Sequence, residues 1–122
     1  MKFTQEHAGA LNVVQACSPG RIRIREQVIT DNVLLTPERV VMAWTTKSPD
    51  ALAETDFEAV FATDPEVIIL GTGATLVFPN PKLNAAVLGR GIGFEVMDTA
   101  AACRTYNVLA LEGRRVSAAL LW

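Results

Sequence analysis

PEVIILGTG, residues 65–73, predicts a short apolar strand that runs into a turn and then toward a helix. GFEVMDT, residues 93–99, has the same pattern, and the fold follows from these two stretches. A strand, a crossover helix and a second strand form the unit from which parallel sheets are built. We therefore expect two parallel neighbouring strands, with Leu70 and Met97 ending at the same edge of the sheet. The glycine loop after Leu70 and the helix start after Met97 would then face one crevice.

The first half of the chain is predicted to be rich in antiparallel strands. Residues 21–25, RIRIR, alternate arginine and isoleucine, which is typical of a strand with one face in water. Residues 33–35 and 40–45 are further β-branched and apolar runs. Residues 48–50 are expected to form a loop, and residues 56–61 a short helix that packs on the sheet.

The second half adds two helices and a final strand. Asn80 followed by Pro81 predicts a helix start, and Gly89 its end. Asp98 or Thr99 is expected to cap a helix of about three turns that ends at residues 112–113. Residues 114–122 complete the chain as an apolar strand. The order of elements predicts an α/β fold with a mixed sheet and an added β layer or hairpin.

Length and composition indicate one ordered domain over residues 1–122. Half of the 122 residues are hydrophobic and 20% are charged, which is typical of a chain that buries a core. The net charge is −2 and the basic residues are dispersed apart from those at 21–25 and 114–115, so nucleic acid is not expected as a partner.

We expect a cytoplasmic protein without a metal, a cofactor or membrane insertion. No run approaches the ~18 apolar residues that span a bilayer, and residues 1–7 lack the apolar core of a secretion signal and the arginines of a transit peptide. Cys17, Cys103 and the single histidine, His7, do not have the spacing of metal ligands. His7 is expected to face solvent, and the thiols to be reduced.

Two interpretations of the glycine loop remain open. Gly71-Thr72-Gly73 follows a strand as in a dinucleotide-binding turn, but Leu76 stands where the third glycine belongs and prolines at 79 and 81 interrupt the helix. The loop is therefore either a tight turn whose glycines accept positive φ or a cradle for a ligand. Asp98-Thr99 is likewise either an ordinary cap or part of an anion site at a helix N-terminus.

Several side chains of the last helix are candidates for function. A helical wheel groups one set on a single side, flanked by Arg104 and Val108: Ala100, Cys103, Asn107, Ala110 and Leu111. Asn107 is expected to bind a loop carbonyl or, alternatively, a ligand. Arg104 near the helix start could hold a carboxylate or phosphate. Cys103, expected in the first turn, is either a small core residue or, if its pKa is lowered, a redox sensor.

Five motifs in combination resemble the Mth938-like family: residues 65–73, 91–92, 95–99, 102–107 and 112–114. This family, long labelled a domain of unknown function, includes the mitochondrial assembly factor 3 of respiratory complex I. The chain resembles a bacterial member, closely over residues 28–120 and weakly before residue 18. The resemblance implies a three-layer α/β fold with a mixed central sheet, and no established enzymatic activity. It also implies a recurrent patch, here called the family patch: Gly71, Thr72, Gly73, Asp98, Thr99, Cys103, Arg104, Thr105, Tyr106 and Asn107.

These observations lead to two hypotheses. The first is a non-enzymatic cytoplasmic accessory protein that binds a protein partner during assembly or biogenesis of a membrane complex. Trp122, for which core packing is the default explanation, could also anchor such a partner. The alternative is a small anionic-ligand binder or weak enzyme that uses the crevice between residues 71–73 and 98–104. No Ser-His-Asp set can be assembled from the sequence, so no catalytic residue is assigned.

Overall fold

The computed structural model describes residues 11–122. Its strands are β1 (Ala16–Ser18), β2 (Arg21–Ile24), β3 (Gln27–Ile29), β4 (Val33–Leu35), β5 (Val40–Met42), β6 (Val67–Thr72), β7 (Gly93–Met97) and β8 (Val116–Leu121). Its α-helices are α1 (Glu58–Phe61), α2 (Pro81–Gly89) and α3 (Thr99–Leu111), and 3₁₀ turns span Pro49–Ala51 and Glu54–Phe57. His7 lies outside the described residues, so its expected exposure stays a prediction.

A mixed five-stranded sheet with the order β5-β4-β8-β6-β7 forms the centre. β6 is parallel to both β7 and β8, whereas β4 is antiparallel to both β5 and β8. In the β6–β7 register Leu70 lies opposite Val96, and Gly71 opposite Met97. The two strands therefore end at the same edge of the sheet, as the sequence predicts.

Both faces of the central sheet are covered, which makes three layers. Val67 and Ile69 lie in an apolar cluster that α3, β2 and β3 join on one face. Ile68 and Leu70 lie in a second cluster that α1 and α2 join on the other face. Every residue of β6 is buried, which explains why its sequence is continuously apolar rather than alternating.

The added β layer is the antiparallel sheet β1-β2-β3. Ile22 and Ile24 are buried in the cluster shared with α3, while Arg21 and Arg25 are exposed. The alternation of residues 21–25 thus sets one face of this sheet on the core and the other in water, as predicted. The mixed α/β class with an added β layer is confirmed.

Three local predictions differ from the structure. β5 ends at Met42 instead of residue 45, because Ala43 has a φ of 54° and donates its amide to the Asn32 carbonyl at 2.6 Å, which turns the chain away. Residues 48–50 are not an irregular loop, since a 3₁₀ turn begins at Pro49. The predicted helix at 56–61 is a 3₁₀ turn followed by a single α-helical turn.

The predicted helix boundaries are confirmed by the capping contacts. The Asn80 side chain accepts a hydrogen bond from the Lys82 amide at 2.9 Å, and the Asp98 carboxylate accepts one from the Ala101 amide at 2.9 Å. α3 ends at Leu111 with Gly113 beyond it at a φ of 81°. These caps fix where α3 begins relative to the end of β6.

Candidate functional site

Thr99 joins three elements at the edge where β6 and β7 end. Its hydroxyl donates to the Leu121 carbonyl at 2.6 Å and accepts from the Gly73 amide at 2.8 Å. Its own amide donates to the Gly73 carbonyl at 2.9 Å. The glycine loop, the start of α3 and the end of β8 are therefore held together by one fully buried side chain.

The two glycines of the loop are required for different reasons. Gly73 has a φ of 105°, which L side chains rarely adopt. Gly71 lacks a positive φ; a Cβ there would meet Leu120 Cδ2 at 3.0 Å, Thr99 Oγ1 at 3.0 Å and Ala102 Cβ at 3.1 Å. The expectation that both glycines accept positive φ is thus wrong for Gly71, whose role is to let α3 approach the sheet.

The polar groups of the loop bond to one another. The Thr72 hydroxyl donates to the Thr75 carbonyl at 2.7 Å and accepts from the Val77 amide at 3.0 Å. Since the Gly73 amide is also bonded, these donors are not directed into an open cradle. The geometry favours the tight turn of the two interpretations that the sequence left open.

A cavity of about 150 Å³ lies beside the loop, between the start of α3 and the added β layer. Its lining residues are Cys17, Ser18, Pro19, Gly73, Ala74, Asp98, Ala100 and Trp122. Asp98 is the one charged side chain among them, and Arg104 does not line the cavity. An anion in this crevice would face a carboxylate without a compensating guanidinium.

The buried face of α3 differs from the helical wheel predicted for it. The structure buries Thr99, Ala102, Cys103, Tyr106 and Ala110. Cys103 and Ala110 of the predicted group are buried, whereas Ala100 is exposed and Leu111 is 68% exposed. The buried face is rotated toward Tyr106, which lies outside the predicted group. Cys103 is the fifth residue of α3 and lies in its second turn rather than its first.

Tyr106 and Asn107 hold the segment that precedes β1. The Tyr106 hydroxyl donates to the Asn12 carbonyl at 2.6 Å. The Asn107 amide donates to the Val14 carbonyl at 2.9 Å, and its oxygen accepts from the Val14 amide at 2.8 Å. The expectation that Asn107 binds a loop carbonyl is confirmed. The role of Tyr106 was missed, although a buried tyrosine generally needs a hydroxyl partner.

Cys103 is buried and has Cys17 of β1 as a neighbour. Burial raises the pKa of the Cys103 thiol strongly, the adjacent Cys17 raises it further, and Arg104 acts weakly in the opposite direction. A redox sensor requires the reverse, a lowered pKa. The structure therefore supports the core role of Cys103 over the redox hypothesis.

The family patch is mostly internal. Gly71, Thr72, Gly73, Thr99, Cys103 and Tyr106 are buried; Asp98, Thr105 and Asn107 are partly buried; and Arg104 is exposed. Most of these residues position loops and helix ends around a buried junction. Within residues 11–122, no three histidine, cysteine or acidic side chains cluster in a way that could hold a metal ion.

The family model described as "Protein of unknown function (DUF498/DUF598)" matches residues 14–121. The chain belongs to this family. Its relatives include the "NADH dehydrogenase [ubiquinone] 1 alpha subcomplex assembly factor 3" of Mus musculus, which is 37% identical over 90 residues. That alignment covers 72% of this chain and 48% of the mouse protein, so the chain spans about half the length of this relative.

Solved structures of similar proteins share the fold. A protein from Xanthomonas campestris superposes with a TM-score of 0.85 at 41% identity, covering 99% of this chain and 92% of that one. A Mth938-like domain from Bordetella pertussis superposes with a TM-score of 0.77 at 31% identity, covering 92% and 86%. The resemblance to the Mth938-like family is confirmed. No helix in residues 11–122 is long and apolar enough to cross a bilayer.

Proposed function

We propose that this chain is a cytoplasmic accessory protein that binds a protein partner during assembly of a membrane complex and catalyses no reaction itself. The observation that supports it most is the kinship with an assembly factor of NADH dehydrogenase, which extends over most of the folded chain. The partner is then a subunit or an assembly intermediate of such a complex.

The surface around the family patch offers groups suited to a protein partner. The loop after Gly73 exposes Leu76 by 48% and Phe78 by 72%. The outer face of α3 carries Arg104 and Val108, the latter 56% exposed. The loop and the helix begin beside each other, because Gly73 bonds to Thr99, and we infer that one partner contacts the exposed residues of both.

We call Leu76, Phe78, Arg104 and Val108 the partner surface. Aromatic and arginine side chains contribute most to many protein interfaces. In this interpretation the buried residues of the family patch hold the partner surface in shape, which accounts for a family pattern at positions that solvent does not reach.

The alternative, an anionic-ligand binder or weak enzyme at the crevice, has less support because Asp98 lines the cavity and Arg104 does not. Thermal shifts against phosphate and carboxylate salts test it. A stabilisation that Arg104→Ala abolishes would favour this alternative, whereas equal responses of both proteins would remove it.

Gene deletion in a bacterium that encodes both this chain and a NADH dehydrogenase complex tests the proposed function. We expect the membranes to lose assembled complex and NADH:quinone activity, and the wild-type gene to restore both. The variant Leu76→Ser/Phe78→Ser is expected to fold but not to restore them. Leu88→Ser is the matched control, because Leu88 is a 57% exposed side chain on α2 that does not belong to the partner surface.

Unchanged levels of the assembled complex after deletion would contradict a role in assembling NADH dehydrogenase. Full restoration by the double variant would contradict the partner surface while leaving the assembly role in place. The two parts of the proposal can thus fail separately.

A further inference from the structure

A cavity of about 460 Å³ lies at the opposite edge of the sheet from the family patch. It lies where β8 begins, between the turn that joins β4 to β5 and the end of α3. A volume of this size falls in the range of about 300 to 1,000 Å³ that is common for small-molecule sites. Both polar and apolar side chains contribute to its walls.

The turn between β4 and β5 supplies one wall with free polar groups. The Thr36 hydroxyl oxygen accepts from the amides of Glu38 at 3.2 Å and Arg39 at 2.9 Å. Thr36 is 6% exposed, and its hydroxyl proton has no acceptor within residues 11–122. The exposed Arg39 guanidinium likewise forms no ion pair or hydrogen bond in the described chain. A hydroxyl donor and a free guanidinium are therefore available at this wall.

The start of β8 supplies an acceptor deeper in the cavity. Thr63 donates its hydroxyl proton to the Val60 carbonyl at 2.6 Å, and its oxygen lies 2.7 Å from the Ser117 hydroxyl. A hydroxyl has a single proton, so Ser117 is the donor to Thr63. Within residues 11–122 no other group donates to the buried Ser117 oxygen, which therefore retains acceptor capacity.

The charge of the cavity is predominantly positive. Arg39, Arg114 and Arg115 line it together with one acid, Glu38. Arg114 pairs with Glu66 at 3.4 Å, and Arg115 contacts Asp64 at 4.0 Å, but all of these side chains are solvent-exposed to a considerable degree. Exposed pairs of this kind exchange partners at small cost. Within residues 11–122, Arg39 takes part in no such pair.

The rest of the lining is apolar: Leu11, Pro37, Ala62, Ala110, Leu111 and Val116. Leu111 contributes an apolar side chain that is 68% exposed. Arginines from two segments, together with these apolar side chains, match a ligand with an anionic head and a short apolar body.

We propose that this cavity binds a small organic anion, a carboxylate or phosphate monoester with an apolar body, whose head contacts Arg39 and Thr36. A bidentate contact with the guanidinium would anchor the anion. At about 30 Å³ per water molecule, the cavity has room for about 15 waters. A ligand that displaces them can have an apolar body of several carbon atoms. The inference concerns a second site and does not depend on the proposed function.

NMR titration of the ¹⁵N-labelled full chain tests the proposal with four probes: hexanoate, hexyl phosphate, 1-hexanol and inorganic phosphate. We expect saturable shifts at the amides of Thr36, Arg39 and Ser117 with hexanoate or hexyl phosphate, and the stronger of the two identifies the head group. Arg39→Met should weaken this binding roughly tenfold, because it removes a charge-assisted contact.

Arg21→Met is the matched control, because Arg21 is also exposed and lies in β2 outside this cavity. It should bind as the wild type does. If 1-hexanol bound as tightly as the hexyl anions, the assigned role of the charge would be overturned. If inorganic phosphate bound as tightly as the hexyl anions, the assigned role of the apolar body would be overturned. Absence of saturable shifts with either hexyl anion, or unchanged affinity in Arg39→Met, would overturn the site itself.

Discussion

The hydroxyl of Thr99 donates to the carbonyl of Leu121 at 2.6 Å, which joins the first residue of α3 to the last residue of β8. The same oxygen accepts from the Gly73 amide, so one side chain satisfies two backbone groups in a fully buried junction. The position of α3, and with it the shape of the partner surface, depends on this junction.

Thr99→Val should therefore destabilise the chain by about 2 to 4 kcal/mol, because it leaves the Gly73 amide and the Leu121 carbonyl buried without partners. Thr99→Ser keeps the hydroxyl and should cost roughly 1 kcal/mol through the lost methyl group. Urea unfolding followed by circular dichroism measures both. A loss in Thr99→Ser as large as or larger than the loss in Thr99→Val would contradict the role of the hydroxyl, because only Thr99→Ser removes the methyl group and keeps the hydroxyl.

Gly71→Ala should destabilise the chain by about 1 to 3 kcal/mol, since the added methyl overpacks against α3 and Leu120. Gly89→Ala serves as the control: a Cβ there meets nothing within 4 Å and Gly89 is the last residue of α2. The Gly89→Ala substitution should leave the stability unchanged or raise it by up to roughly 1 kcal/mol. Thermal unfolding measures the stability of both variants. A Gly71→Ala variant as stable as the wild type would contradict the close approach of α3 to the sheet.

Asn107→Ala should release the segment before β1, because the side chain forms both a donor and an acceptor contact with Val14. We expect a loss of about 1 to 3 kcal/mol and faster hydrogen exchange at the Val14 amide. Hydrogen exchange followed by NMR provides the site-specific measurement. Arg104→Ala, an exposed neighbour on the same helix, should leave this amide protected as in the wild type.

The raised pKa of Cys103 predicts a loss of stability in alkali. The unfolded chain releases this thiol proton near pH 8.5 while the folded chain retains it, so above that pH the free energy of unfolding falls by up to about 1.4 kcal/mol per pH unit. The buried Tyr106, whose pKa is also raised by burial, adds to the decrease above about pH 10.

Urea unfolding between pH 7 and 10 measures this dependence. Cys103→Ala should reduce the slope above pH 8.5, at the cost of some stability at neutral pH. In the folded protein at pH 8, iodoacetamide should leave Cys103 unmodified, because the thiol is buried and protonated. Rapid modification of Cys103 would restore the redox hypothesis.

The sequence predicted those features that depend on neighbouring residues. The strand at β6, its parallel partner β7 and the caps at Asn80 and Asp98 follow from local residue types and from the short spacing between strand and helix. The capping side chains bond to amides two or three residues away, so their roles are visible without a fold.

The features that the sequence did not predict depend on contacts between distant segments. Tyr106 bonds to Asn12 across 94 residues, and Thr99 bonds to Leu121 across 22. Neither pairing has a local signal, and the predicted group on α3 contains the buried Cys103 and Ala110 but not the buried Tyr106. The cavity at Arg39 is likewise built from separate segments, which meet only because β8 lies between β4 and β6.

The proposed function requires that the partner surface bind a component of a membrane complex. Photo-crosslinking in living cells tests this requirement, with a photo-crosslinking amino acid in place of Phe78 and the adduct identified by mass spectrometry. The same replacement at Leu88 is the control. We expect one discrete adduct at position 78 that contains a subunit of a membrane complex, and none at position 88. The absence of an adduct at position 78, or the same adduct at both positions, would contradict the claim.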